Sequence, residues 1–179
     1  MLEEGRLDRQ TERRKNPDFF TEFKGMHLSV RKEREKRMSG IMDRSRELRM
    51  DQTVHYNCAQ GVLIPFAEKK GMTVNQARGL AANFGSGMCM GEVCGAITGG
   101  LMALGLYGAD QEADTKEFLT RMKNMHEGRV RCKELLAQEV HSREQKKPHC
   151  DNMVFEAVEI VEDMLQARGL LKEEITARQ

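Results

Sequence analysis

Cysteine is the residue type in this sequence with the most chemistry to offer, and the chain has five of them. Four are predicted on the inward faces of different helices, and these are Cys58, Cys94, Cys132 and Cys150. Helices packed in one bundle can bring such side chains together. Four thiolates suit an iron–sulfur cluster and, as a weaker candidate, a tetrahedral zinc ion, whereas two close pairs suit a reversible disulfide.

The spacing of the cysteines is not itself a metal signature. No Cys-x-x-Cys pair occurs, and no Cys-x-x-Cys-His motif is present for covalent haem attachment. Because cysteine is among the most buried residue types, a purely structural role for these thiols also has to be considered.

Cys94 lies in the apolar, glycine-rich stretch 91–104, which is predicted to be a buried helix. Gly95 and Gly99 are one turn apart and leave room for another backbone or a bound group. With Gly91 as the N-cap, Cys94 falls in the first turn, where free N–H groups and the helix dipole favour a thiolate. This position suits an activated nucleophile, although for a lone cysteine the sequence favours a small buried hydrophobic residue.

The other three thiols are placed by apolar spacing. Cys58 shares a spacing of four residues with Val62 and Phe66, in a helix predicted to begin at Asp51 or Thr53. This register turns Cys58 toward the core.

Cys132 falls on the apolar stripe of a long helix predicted from about residue 110 to 139, which Gly128 bends or breaks. Pro148 suits the first position of a later helix, and this puts Cys150 in a first turn, one turn before Val154. Cys89, in the glycine-rich loop 85–91, is an additional thiol and a candidate fifth ligand or resolving thiol.

Composition limits the class of protein. At 179 residues with a net charge of +1, the chain has one core of ordinary size and lacks the bulk charge of a nucleic-acid binder. The longest apolar run, around residues 101–106, is too short to cross a bilayer, and the N-terminus does not read as a secretory signal. We therefore expect a cytoplasmic protein with reduced thiols, no membrane insertion and no nucleic-acid partner.

Three regions follow from these patterns. Residues 1–50 are a charged N-terminal helical extension, 51–169 a four-cysteine helical redox domain, and 170–179 a charged tail. The fold class is all-α, a compact bundle of about five to six helices with the charged arm attached. The arm has a narrow apolar seam over residues 38–48 that suits a partner subunit, so we expect a homo-oligomer assembled through it.

The motifs around the four cysteines resemble the C_GCAxxG_C_C family of redox-active proteins over about residues 53–168. The resemblance is carried by Tyr56-Asn57-Cys58-Ala59-Gln60, by residues 84–88 leading to Gly91-Glu92-Val93-Cys94-Gly95-Ala96-Ile97-Thr98-Gly99, by residues 131–136, and by Cys150. It implies a small, mostly helical, cytoplasmic protein whose four signature cysteines are Cys58, Cys94, Cys132 and Cys150. A related module in split-Soret cytochromes implies, by analogy, an iron–sulfur role.

Three hypotheses about function remain. The first is an electron carrier in which Cys58, Cys94, Cys132 and Cys150 bind an iron–sulfur cluster or another metal. The second is a thiol–disulfide oxidoreductase in which Cys94 is the nucleophile and the resolving thiol is Cys58, Cys89 or Cys150. The third is a helical interaction protein with purely structural cysteines. Under the first two hypotheses a redox partner protein is implied, which the sequence does not identify.

Overall fold

The computed structural model describes residues 40–171, and within them the fold is all-α, as predicted. Seven α-helices lie in this part of the chain, somewhat more than the five to six expected. In chain order they are α1 (40–50), α2 (Cys58–Lys69), α3 (Val74–Leu80), α4 (Gly95–Leu106), α5 (Glu112–Met125), α6 (Cys132–Glu139) and α7 (Arg143–Ala167). Between residues 40 and 171 no strand forms, and one isolated antiparallel bridge joins Val93 to Arg131.

The core is built on α2 and α4, whose backbones approach closely. A Cβ atom added to Gly99 of α4 would lie only 2.6 Å from the carbonyl oxygen of Ala59 in α2, so this approach requires glycine. The helix α7 packs across both through the apolar stripe expected from its sequence. That prediction is confirmed by the burial of Val154, Ala157, Val158, Val161, Met164 and Leu165.

The helix α1 packs onto this core, although its charged composition groups it with the N-terminal extension. Ile41 and Leu48 are each only 3% exposed, and the Ser45 hydroxyl donates to the carbonyl oxygen of Gly61 at 2.8 Å. The apolar seam expected to suit a partner subunit thus contacts the same chain over residues 41–48. Assembly through the arm stays a prediction, because residues 1–39 lie outside the described part of the chain, as does most of the tail.

The long helix expected from about residue 110 to 139 is two helices. Glu127 and Gly128 adopt left-handed φ angles of +51° and +83° after α5, and the Gly128 N–H donates to the carbonyl oxygen of Lys123 at 2.8 Å. This turn ends α5, so Cys132 begins a new helix instead of lying inside a long one.

The helix containing Cys150 begins earlier than expected. The Gln145 side chain accepts the backbone N–H groups of His141 and Ser142 at 2.8 and 3.1 Å, which starts α7 at Arg143. Pro148 therefore lies inside the helix, and the expected first-turn position of Cys150 is wrong.

The longest helix described is α7, with 25 residues. Acidic and basic residues occur along much of its length. Among the helices of residues 40–171, none combines the length and the apolar character that crossing a membrane requires.

Candidate functional site

Four cysteine side chains line one pocket at the ends of several helices. Cys58 is the first residue of α2, Cys94 precedes α4, Cys132 begins α6 and Cys150 lies within α7. The pocket has a volume of about 340 Å³, counting the open solvent at its mouth. Its other walls are formed by Ser86, Gly95, Leu135, Leu136, Lys146, His149 and Met153. The structure therefore brings the four predicted cysteines together, and all four are free thiols.

Cys58 occupies the first turn of α2 because Asn57 caps that helix. The Asn57 side chain accepts the N–H of Gln60 at 2.9 Å, and the Gln60 side chain accepts the N–H of Asn57 at 2.8 Å. This capping box fixes the helix start. The prediction that Asp51 or Thr53 begins the helix is therefore wrong, and the thiol of Cys58 lies near the positive end of the helix dipole.

Cys94 is itself the N-cap residue of α4, with φ −54° and ψ 136°, so the prediction that Gly91 caps this helix is wrong. Its position is fixed relative to Cys132 by two backbone hydrogen bonds. The Cys94 N–H donates to the carbonyl oxygen of Val130 at 2.8 Å, and the Cys132 N–H donates to that of Glu92 at 2.7 Å. These bonds join the segments that carry the two thiols and hold both at the pocket.

The loop 86–91 leads into this segment with an unusual backbone. Ser86 and Cys89 have φ angles of +53° and +59°. For a residue other than glycine, this left-handed conformation costs roughly 1–2 kcal/mol. The Glu92 N–H closes the loop by donating to the Gly87 carbonyl oxygen at 3.2 Å. Cys89 is exposed and is not among the residues that line the pocket, so the structure does not bring this thiol to the other four.

Gly95 and Gly99, the predicted cofactor-binding glycines, have different surroundings. A Cβ atom on Gly95 would lie 2.9 Å from the carbonyl oxygen of Phe84 and 3.1 Å from the Cβ atom of Cys58, and Gly95 lines the pocket. Gly99 lies against the backbone of Ala59 and outside the pocket lining. Gly95 therefore lets the start of α4 come close to Cys58, whereas Gly99 allows helix packing.

Cys58 and Cys150 form an interacting pair with opposite electrostatic shifts. The hydrogen bond from the Cys150 thiol lowers the pKa of Cys58, and the charge of Arg49 lowers it further, while burial opposes both. The same hydrogen bond, together with burial, raises the pKa of Cys150. Because the two sites titrate together, the first proton lost belongs to the pair.

The pKa of Cys94 is shifted in the direction opposite to the one expected from its position in the sequence. Burial raises its pKa to about 12, even though the backbone N–H groups of Ala96 and Ile97 favour the thiolate. The pKa of Cys132 is also raised, mainly by burial and then by the charge of Cys58. Desolvation therefore exceeds the helix-terminus effect at Cys94, so the lowered pKa expected there is wrong, while its role as nucleophile stays a prediction.

His149 connects the pocket to a chain of polar groups. Its side chain is 8% exposed, and its Nδ1 lies 2.9 Å from Oε2 of Glu139. Because a carboxylate only accepts hydrogen bonds, the Nδ1 atom of His149 donates in this contact, while the residue also lines the pocket. Beyond Glu139, His126 is hydrogen-bonded through Nε2 to Glu156 at 2.8 Å, and this contact raises the pKa of His126.

Two charged residues at the site were not identified from the sequence. The buried guanidinium of Arg49 donates to the carboxylate of Asp151, with a separation of 2.7 Å, beside the cysteine pair. Arg49 lies eight residues after Ile41 and directly after Leu48. This spacing places Arg49 on the buried face of α1, and it is the signal that could have found it.

The sequence also predicts the four thiols as a metal-ligand set. Over residues 40–171, no three side chains of cysteine, histidine, aspartate or glutamate are grouped as ligands around one point. A four-thiolate iron–sulfur or zinc centre needs such a group. Binding of an iron–sulfur cluster or zinc by Cys58, Cys94, Cys132 and Cys150 therefore stays a prediction.

A comparison with protein-family models gives one match. The model described as "Putative redox-active protein (C_GCAxxG_C_C)" matches residues 56–164. This stretch contains all four cysteines of the pocket. It begins at residue 56, so it does not include Arg49. Comparisons with curated proteins and with solved structures found no match.

Proposed function

This chain belongs to the C_GCAxxG_C_C family of redox-active proteins, and we propose that it acts by thiol–disulfide exchange at the Cys58–Cys150 pair. The observation that carries this proposal is that both thiols line one pocket, where their interaction lowers the pKa of Cys58 and raises that of Cys150. A thiolate is the attacking species in disulfide exchange, so the nucleophile is Cys58 and not Cys94. Cys150 is the resolving thiol.

The exchange takes place in two steps. The Cys58 thiolate attacks one sulfur of a substrate disulfide, forming a mixed disulfide as the substrate S–S bond breaks and its other half leaves as a thiolate. Cys150 then gives its proton to a base in the pocket, for which His149 is the candidate, and attacks the Cys58 sulfur, releasing the second half of the substrate as a thiolate. The released thiolates take up protons, so one disulfide is reduced to two thiols and the protein ends with a Cys58–Cys150 disulfide.

The proposal is tested by oxidising the full-length protein, purified without oxygen, with glutathione disulfide. Disulfides are mapped by mass spectrometry of non-reduced peptides, and iron, zinc and acid-labile sulfide are measured on the same sample. We expect one intramolecular disulfide between Cys58 and Cys150 that dithiothreitol reverses. Near-stoichiometric iron and sulfide, with no disulfide formed until the metal is removed, would overturn the proposal in favour of a cluster-bearing electron carrier.

Replacing His149 with glutamine should slow only the second step. The mixed disulfide between Cys58 and glutathione should then accumulate, because general-base assistance contributes on the order of 100-fold or more to a proton-transfer step. Stopped samples analysed by mass spectrometry give the lifetime of this intermediate. The matched control is His141→Gln, which changes an exposed histidine outside the pocket lining. Equal lifetimes in the two variants would remove His149 from the mechanism.

A further inference from the structure

We propose that Arg49 is a positioning residue for the Cys58–Cys150 pair, holding the two cysteine segments together and supplying positive charge beside the Cys58 thiolate. This inference rests on the proposed function. It assigns a role to α1, which lies outside the stretch that matches the family model.

The guanidinium of Arg49 contacts both cysteine-bearing segments. Its NH1 group donates to the carbonyl oxygen of Tyr56, two residues before Cys58. Its Nε and NH2 groups reach Oδ1 of Asp151, the residue directly after Cys150, each at 2.7 Å. One rigid, planar group therefore connects the segment before α2 to α7, next to Cys58 and Cys150 in the chain.

Burial makes this contact specific. The Arg49 side chain is 6% exposed and that of Asp151 is 17% exposed. Lys147 adds a second cation to the cluster, because its Nζ atom lies 2.6 Å from Oδ2 of Asp151 and 2.9 Å from the carbonyl oxygen of Arg49. Two cations thus share one carboxylate, which leaves an excess of positive charge beside the cysteine pair.

Several other groups act on Cys58 and have to be considered in any test. Asp151 opposes the thiolate, while Arg49 and the thiol of Cys150 favour it. The remaining titratable or charged groups of the pocket are Cys94, Cys132, Lys146 and His149. Arg49 lowers the pKa of Cys58 and Asp151 raises it, and the two residues are hydrogen-bonded to each other. Variants of the two should therefore move the pKa of Cys58 in opposite directions.

The experiment measures the rate at which iodoacetamide alkylates Cys58 in the reduced full-length protein, from about pH 5 to pH 10, a range that spans the ordinary thiol pKa. Arg49→Gln should displace the profile to higher pH and slow alkylation at neutral pH by about three- to tenfold, since one pKa unit changes the thiolate fraction by up to about tenfold. Arg49→Lys, which keeps the charge, should recover part of the rate. Arg46→Gln is the control, because Arg46 is on the same helix and its ion pair with Asp43 is exposed.

Asp151→Asn keeps the inference testable if Arg49→Gln does not fold. It removes the carboxylate that neutralises Arg49, so the alkylation profile should move to lower pH. An unchanged or upward-moving profile in Asp151→Asn, or an Arg49→Gln profile identical to the wild type, overturns the role of Arg49. A rate lowered equally at every pH would do the same, because it would reflect access and not charge.

The two proposals fail in different ways. If the wild-type protein forms no Cys58–Cys150 disulfide but the profiles move as expected, the exchange function is wrong and Arg49 still positions the pair. If the disulfide forms and the profiles do not move, only the role of Arg49 is lost.

Discussion

Replacing Cys58 with serine is expected to abolish reaction of the pocket thiols with a disulfide substrate, because no other thiol in the pocket combines a lowered pKa with the first turn of a helix. Cys58→Ser should form no mixed disulfide with glutathione at a pocket thiol and no intramolecular disulfide, while the exposed thiol of Cys89 still reacts. Cys150→Ser should instead stop at a stable mixed disulfide on Cys58, since the nucleophile is present and the resolving thiol is missing. Peptide mapping after treatment with glutathione disulfide distinguishes the two outcomes.

The matched control is Cys89→Ser, which removes an exposed thiol outside the pocket lining and should behave like the wild type at the pocket thiols. Two results would contradict the assignment. If Cys58→Ser still forms a mixed disulfide on Cys94, then Cys94 is the nucleophile despite its burial. If Cys150→Ser forms a disulfide between Cys58 and Cys132 as fast as the wild type closes its own, then Cys132 is the resolving thiol.

Replacing Gly99 with alanine is expected to destabilise the protein by about 2 kcal/mol or more, in the range of overpacked cores. The added Cβ atom would lie 2.6 Å from the Ala59 oxygen and 2.9 Å from the Ala59 Cα atom. Both are backbone atoms, so α2 and α4 must separate to relieve the clash. At roughly 2–4 °C per kcal/mol for a chain of this size, Tm should fall by about 4–8 °C.

Gly105→Ala on the same helix is the matched control for this prediction. No atom lies within 4 Å of a Cβ added there, so the substitution only restricts the unfolded chain and improves helix propensity. It should stabilise the protein by about 0.5–1 kcal/mol. Urea unfolding followed by circular dichroism measures both variants. Equal effects at the two positions would show that the α2–α4 approach does not depend on glycine.

The helix pattern predicted most of the fold, and the errors fall at helix ends. The apolar stripe of α7 follows directly from its 3.6-residue period, so its burial could be predicted. The starts of α2 and α7 could not, because Asp51, Thr53 and Pro148 are all acceptable helix starts in isolation. Capping boxes at Asn57 and Ser142 decide the actual starts. Local sequence offered competing caps, and packing selected among them.

The activated thiol could not be predicted from position alone. The sequence predicts a thiolate at Cys94 from the helix dipole, which favours a thiolate at any exposed helix N-terminus. At Cys94 the desolvation caused by the packed core reverses that effect, whereas at Cys58 the neighbouring Cys150 and Arg49 reinforce it. These partners come from α7 and α1, and their contacts exist only in the folded chain.

The sequence by itself determined that four cysteines face a common helical core, that glycines allow two helices to approach closely, and that the motifs are those of a redox family. Only the tertiary structure decided that the pKa of Cys58 is lowered by Cys150 and that Arg49 of α1 belongs to its surroundings. The physical reason is that spacing fixes the face on which a side chain lies. The pKa of a thiol depends instead on burial and on charges within a few ångströms, and here those charges come from residues distant in the chain.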